Sequence, residues 1–288
     1  LRKFLPYLLL IPTFLVIILF IYWPAADSFR MSLYKVSPFG NRMIYTGLGN
    51  FQKVFSSAEY RKAVLFTTLY VPVTVLLTIF ISFFLALLLN QNVPGTRFYR
   101  TFIFAPYAVS PAIAGTLWTF LLNPVVGHVN YFFMAVFGTQ VEWLTTKPYA
   151  LIALFFASVW KMMPFDIIFY IAGLQSVPDE LMESATLDGA GVLKKMWRIQ
   201  FPMVSPITFY LVIMNIIVAM FSSFAIIDVM TKGGPGGYTT TMMYRLYLDA
   251  FAFQKTGPAS AQSVIMFGLM AIITVIYFVF GERRVHYR

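Results

Sequence analysis

Glu183-Ser184-Ala185-Thr186-Leu187-Asp188-Gly189-Ala190-Gly191, followed by Phe201-Pro202, is a charged, glycine-punctuated stretch between two apolar runs, Tyr149–Leu174 and Val204–Ile227. Each run is long enough for a helix to cross the bilayer core, which takes about 20 apolar residues. A polar loop held between two such runs projects into water. A chain that keeps charge and glycine there offers the loop as a docking element to something on that side, so that work done elsewhere is transmitted here.

Working outward, four more runs reach the same length: Phe4–Trp23, Ala63–Asn90, Thr101–Asn123 and Ser260–Phe280. They suit helices, not the roughly 10-residue alternating strands of a membrane barrel. Pro12, Pro72, Pro111 and Pro164 fall inside them, where neighbouring helices satisfy the freed backbone groups. No internal repeat is clear. The expected fold is an all-α integral membrane protein, a single domain over residues 1–288 with six transmembrane helices and a polar loop at about 175–203.

Composition excludes other classes. The chain is 59% hydrophobic and 11% charged, with mean hydropathy +0.76, whereas soluble domains are about 45–50% apolar and 25% charged. The 31 Phe and 17 Tyr fit lipid-facing and interfacial positions. Cysteine is absent, which removes disulfides and cysteine-ligated metal. His128 and His286 lie too far apart in sequence to suggest a metal site. The net charge of +10 sits in short connections between apolar runs, where headgroups and orientation explain it and nucleic acid does not.

With both termini on one side, that side collects ten basic residues, Arg2, Lys3, Arg97, Arg100, Lys194, Lys195, Arg198, Arg283, Arg284 and Arg288, against ten on the other. The first ten are packed closer to the helix ends, so the positive-inside rule puts the termini and the 175–203 loop in the cytoplasm. The first apolar run reads as an anchor, not a signal peptide.

Within the loop, Ser176-Val177-Pro178-Asp179 reads as a helix start, with Ser176 as cap and Asp179 and Glu180 complementing the dipole. The helix is expected to end near Leu187, with Gly189 in the left-handed conformation. A second, about Val192 to Gln200, is expected to stop before Pro202. Ala185 and Ala190 keep the knob's faces small. An amphipathic connector lying in the headgroups is the other reading.

The pattern Glu183-Ser184-Ala185-x-x-Asp188-Gly189-Ala190, then Ile199-x-Phe201-Pro202 and Pro206, resembles the EAA loop of permease subunits of binding-protein-dependent ABC importers. Gly47-Leu48-x-Asn50-Phe51, Pro106-Tyr107-Ala108-Val109-Ser110 and Gly233-Gly234-Pro235 extend the likeness along the chain, to the maltose-permease-like carbohydrate group. Ser184 and Phe201 stand where that group usually has Ala and Leu. The resemblance implies a bacterial inner-membrane subunit, half of a heterodimer with a second permease subunit. Its partners are two ATP-binding subunits and an extracytoplasmic solute-binding protein met by the outward loops 24–62 and 228–259. It implies that Glu183, Ser184, Ala185, Asp188 and Gly189 seat the loop in an ATPase cleft and that Pro202 sets the turn into span five. No Gly-Lys dipeptide, hence no Walker A motif, occurs in the chain, so ATP and magnesium belong to a partner and this chain needs no cofactor.

Only Lys161 and Asp166 carry formal charge inside the six expected spans, both in span four. Intramembrane charge costs at least about 2.5–3.5 kcal/mol and so faces a bundle interior or water. Five residues apart on a helix, the two lie about 140° from each other. The resemblance matches Lys161 and Phe165, with Ile216, Ala219, Met220 and Ser223 on span five, to substrate-contacting positions of maltose permeases. Met220 and Ser223 replace amide side chains there, and a lysine ammonium suits phosphate oxygen. The expected solute is therefore sugar-type and phosphorylated, sn-glycerol 3-phosphate being favoured over a neutral oligosaccharide. Alternatively, Lys161 is paired internally, with a carbonyl or with Asp166 near Pro164. Trp118 and Asn215 are weaker candidates. An ion-coupled secondary transporter rests on Asp166 alone, and no His/Glu or Ser/Lys constellation supports an intramembrane enzyme.

Overall fold

A computed structural model describes residues 5–37, 42–91 and 95–281. Phe4, at the start of the first expected span, and Arg2, Lys3, Arg283, Arg284, His286 and Arg288 lie outside the described residues.

Helices dominate, and among the described residues five are long and apolar enough to cross a membrane, or six with one bent pair. The first apolar run forms α1 (Leu5–Ile17), a π turn at Ile18–Tyr22 and α2 (Trp23–Ser32), giving a candidate span Leu9–Ser32 that runs past the expected end at Trp23. It is apolar all round, and Phe20 and Trp23 are 73% and 72% exposed. Such a surface is accommodated by lipid or by another apolar protein surface.

By backbone packing the chain divides into two compact units. One comprises residues 1–61 and 245–271. It holds α1, α2, the antiparallel pair β1 (Tyr34–Val36) and β2 (Met43–Tyr45), with Tyr34 opposite Tyr45, and α3 (Gly49–Ser56). Asn50, 1% exposed, donates through Nδ2 to the carbonyls of Ser32 and Tyr34 at 2.8 Å each, tying the end of α2 to β1. That gives the Gly47-Leu48-x-Asn50-Phe51 motif a structural job.

The other unit comprises residues 62–244 and 272–288. Its long elements are most of α4 (Ala58–Leu89), then α5 (Thr96–Ala108), α6 (Pro111–Leu121), α7 (His128–Phe137) and α8 (Lys147–Leu174). The expected third span is not one helix: Thr101–Ala108 and Pro111–Leu121 meet at 113°. Pro111 holds Ser110 in extended backbone, and Ser110 Oγ accepts from the Ile113 N–H to cap α6. A residue before proline resists helical geometry, so the break is written at Ser110-Pro111.

Helices α4 and α8 are joined by the Tyr70 hydroxyl donating to Ser158 Oγ (2.7 Å), and by Ser82 Oγ donating to the Met163 carbonyl beside Pro164 (3.2 Å). After the 175–203 segment come α12 (Ser205–Ile217), a π turn at Val218–Ser222 and α13 (Phe224–Met230). Gly173 lets α12 approach α8: a Cβ there would overlap Ile207. The chain then passes α14 (Met242–Tyr247), a π turn at Leu248–Ala252 and α15 (Thr256–Gly281). Between α13 and α14, Thr239 and Thr240 hydroxyls donate to the carbonyls of Gly234 and Gly233, which pins the Gly233-Gly234-Pro235 turn.

Candidate functional site

Within the second unit, α4, α5, α6, α8, α12 and α13 enclose a largely apolar cavity of about 320 Å³. Its polar wall is Tyr70, Ser158, Lys161, Asn215, Ser222 and Ser223. Lys161 Nζ lies 3.4 Å from the Tyr107 carbonyl and 5.4 Å from the centre of the Tyr107 ring, which stacks on Phe165 at 6.0 Å. A 3.4 Å contact is at the long limit of a hydrogen bond, and an ammonium has three donors, so Lys161 keeps capacity for a ligand. Asp166 does not take it. Fully buried, Asp166 accepts through Oδ2 from Asn215 Nδ2 at 2.6 Å, and its Oδ1 has no hydrogen-bond partner among the described residues.

Of the residues singled out in sequence, Lys161, Phe165 and Ser223 line the cavity, as does Asn215. Ile216, Ala219 and Met220 are not in its wall, and Ala219 and Met220 are buried elsewhere. The π turn at Val218–Ser222 interrupts the stripe at Ala219 and Met220, while Ile216 lies before it. Sequence spacing of three, four and seven assumes an unbroken α-helix, whereas the wall here is Met214, Val218, Ser222 and Ile226, spaced by four. Trp118 packs edge-on against Phe156 and Trp160, outside the cavity wall. Tyr70 and Ser158 have no signal in the sequence, because a tyrosine or serine in an apolar run carries no period or charge to mark it.

The 175–203 segment forms α9 (Asp179–Leu187), α10 (Val192–Lys195), a π turn at Met196–Gln200 and α11 (Phe201–Met203). Ser176 is not the cap: its hydroxyl turns back to the Gly173 carbonyl at 2.7 Å, and Pro178 occupies the cap position. Gly189 has φ +75°, its N–H bonds the Thr186 carbonyl at 3.0 Å, and the Ala190 N–H bonds the Ala185 carbonyl at 2.9 Å. This is the Schellman closure of a helix end. The second helix runs on through Pro202 because the π turn displaces the hydrogen-bond ladder where the proline lacks its N–H.

Glu183, Ser184, Asp188 and Gly189 are exposed, Ala185 is half-buried, and no protein atom lies within 4 Å of where a Cβ on Gly189 would stand. The tip is apolar: Leu187 and Val192 are 89% and 79% exposed. The base is anchored. Met196, 4% exposed, sits in a core with Phe83, Tyr170, Leu174, Val204 and Leu211, and Phe201 packs edge-on against Phe83 at 5.3 Å.

The sequence over residues 3–286 matches the family described as binding-protein-dependent transport system inner membrane component. The chain belongs to this family. It is 38% identical over 286 residues to the sn-glycerol-3-phosphate transport system permease protein UgpA of Rhizobium meliloti (strain 1021), covering 99% of this chain and 97% of that one. The proteins of the same name from Escherichia coli (strain UTI89 / UPEC) and Salmonella typhi are 36% identical with the same coverage. Among solved structures, a bacterial ABC transporter involved in the import of the acidic polysaccharide alginate matches with a TM-score of 0.86 at 23% identity, covering 98% of this chain and 96% of that one. A bacterial alginate ABC transporter in complex with alginate pentasaccharide-bound periplasmic protein matches at 0.83 and 22%, covering 96% and 93%. These structural likenesses carry the fold. The chain is thus a multi-pass inner-membrane permease subunit of an ABC importer, non-catalytic and without a cofactor of its own, and the ATPase is a separate subunit. Among the described residues no group of three or more His, Asp or Glu stands where it could hold a metal ion.

Proposed function

We propose that this permease, acting as one domain, forms half of the translocation path of an ATP-driven importer for a phosphorylated polyol, sn-glycerol 3-phosphate being favoured. The observation that carries the reading is Lys161, a half-buried cation on the wall of an apolar cavity with one long hydrogen bond to a carbonyl. A lysine ammonium in low-dielectric surroundings prefers a doubly charged phosphate over neutral sugar hydroxyls. The cavity is of the size that binds small molecules, typically about 300–1,000 Å³. The relatives named sn-glycerol-3-phosphate permease support the same choice. The second half of the path is a second permease subunit, and solute arrives on an extracytoplasmic binding protein. The termini and the 175–203 segment face the cytoplasm, where Glu183, Ser184, Ala185, Asp188 and Gly189 seat α9 in one of two ATP-binding subunits and Pro202 directs the chain into α12.

The test is uptake by the assembled transporter in proteoliposomes. Lys161→Gln is expected to lower glycerol 3-phosphate uptake about tenfold or more, the loss of one charge-assisted contact, and Lys161→Arg to retain most of it. Wild-type uptake by Lys161→Gln, or transport of a neutral oligosaccharide in preference to the phosphate ester, overturns the reading.

A further inference from the structure

A second cavity, of about 460 Å³, lies wholly within the unit of residues 1–61 and 245–271. Its charged lining is Lys35, Lys53, Arg245 and Lys255 against Glu59 and Asp249. The acids are engaged. Asp249 receives Arg245 through Nε at 2.9 Å and a terminal nitrogen at 3.0 Å, and Gln262 Nε2 at 2.7 Å. Glu59 accepts from Ser57 Oγ at 2.7 Å. Lys255 Nζ stands 3.9 Å from Asp249 Oδ1, beyond hydrogen-bond reach, and Lys35 and Lys53 have no acidic partner among the described residues.

Two buried groups mark this as more than a polar surface. The Tyr60 hydroxyl and Gln262 Oε1 belong to side chains each 1% exposed that line the cavity, and neither atom has a hydrogen-bond partner among the described residues. Buried polar atoms are almost always paired, so this couple leaves one donor and one acceptor open to a bound polar group. Their chemistry is complementary. Gln262 has committed its amide nitrogen to Asp249, which fixes its oxygen as an acceptor, while the tyrosine supplies an O–H donor. Gln254, also in the wall, is held at φ +52°, a conformation that non-glycine residues keep mostly where surroundings impose it.

We propose that this cavity binds a small hydroxylated oxyanion, a phosphate group with a neighbouring alcohol. The phosphate oxygens accept from Lys35, Lys53 and the Tyr60 hydroxyl, and the alcohol donates to Gln262 Oε1. The site is independent of Lys161 and of the solute this permease carries. A free polyol phosphate and the headgroup of phosphatidylglycerol share this chemistry, and the experiment separates them.

The full chain carrying Lys161→Gln, which removes the first cavity's cation, is placed in phosphatidylcholine nanodiscs and titrated calorimetrically with glycerol 3-phosphate. Saturable binding is expected, weakened about tenfold or more by Lys35→Gln with Lys53→Gln and severalfold by Tyr60→Phe, but unchanged by Lys62→Gln, a neighbouring exposed lysine outside the cavity. The titration is repeated in phosphatidylglycerol nanodiscs. A headgroup occupant lowers the apparent affinity there in the chain with Lys35 and Lys53 intact and not in the double variant; a free-solute site shows equal affinity in both lipids. Absence of binding in phosphatidylcholine together with no preferential retention of phosphatidylglycerol on purification overturns the proposal, as does a loss that Lys62→Gln reproduces. Either failure leaves the Lys161 uptake assay standing.

Discussion

Asp166 and Asn215 hold each other across α8 and α12 at 2.6 Å, in side chains that are 0% and 4% exposed. Replacing Asn215 by Leu strips the buried carboxyl of that donor. Leaving a buried polar group unsatisfied costs about 1–3 kcal/mol, so Asn215→Leu is expected to lower the thermal midpoint of the detergent-purified chain. Asp166→Asn keeps an amide-to-amide bond and is expected to lower it less. Equal midpoints for wild type and Asn215→Leu would remove the pair from any account of the bundle. The same two residues show what sequence offers at this scale. Lys161 and Asp166 stood out because charge is costly in a bilayer and nothing else in the expected spans carries it. Their partners did not: a carbonyl of Tyr107, 54 positions away, and an amide 49 positions away are matters of packing, with no trace in local pattern.

At the scale of elements, α9 depends on a single backbone conformation at its end. Gly189 at φ +75° closes the helix, and an L side chain there meets open space yet strains the backbone. Gly189→Asn, whose side chain tolerates the left-handed region, is expected to preserve solute-stimulated ATP hydrolysis by the assembled transporter; Gly189→Val is expected to lose most of it. If both variants behave like wild type, the closure of α9 has no part in coupling. This helix end was legible in the sequence, because a glycine after a short amphipathic segment has a local physical cause in its freedom to take positive φ. The four π turns among the described residues were not. Each depends on how side chains pack around it, and each shifts the faces beyond it. The turn at Val218–Ser222 is where Ala219 and Met220 leave the cavity wall and Val218 and Ser222 enter it. The bend at Ser110-Pro111 was written in the residues, but a run of apolar length hid it.

Across the second unit, three physical facts line up: an exposed knob, an anchored base and a cavity whose wall shares helices with that anchor. The core around Met196 draws on α4 through Phe83 and Ala86, on α8 through Ile167, Tyr170 and Leu174, and on α12 through Leu211. Those helices also supply Tyr70, Lys161 and Asn215 to the cavity. A displacement of α9 and α10 therefore reaches the cavity through close-packed side chains, which transmit strain because interiors have little void to absorb it. Met196→Ala tests this route without touching the knob's exposed face. Truncating a buried methionine opens a void and costs about 2–5 kcal/mol, and on the proposed reading that void sits between the segment that seats the ATP-binding subunit and the solute path. The expected phenotype is uncoupling: the ATP-binding subunits still co-purify with the permease and hydrolyse ATP, while solute taken up per ATP falls severalfold. Met196→Leu, which refills most of the volume, is expected to restore the ratio. A Met196→Ala transporter with an unchanged ratio of uptake to hydrolysis would mean that the knob drives the path through contacts other than this core.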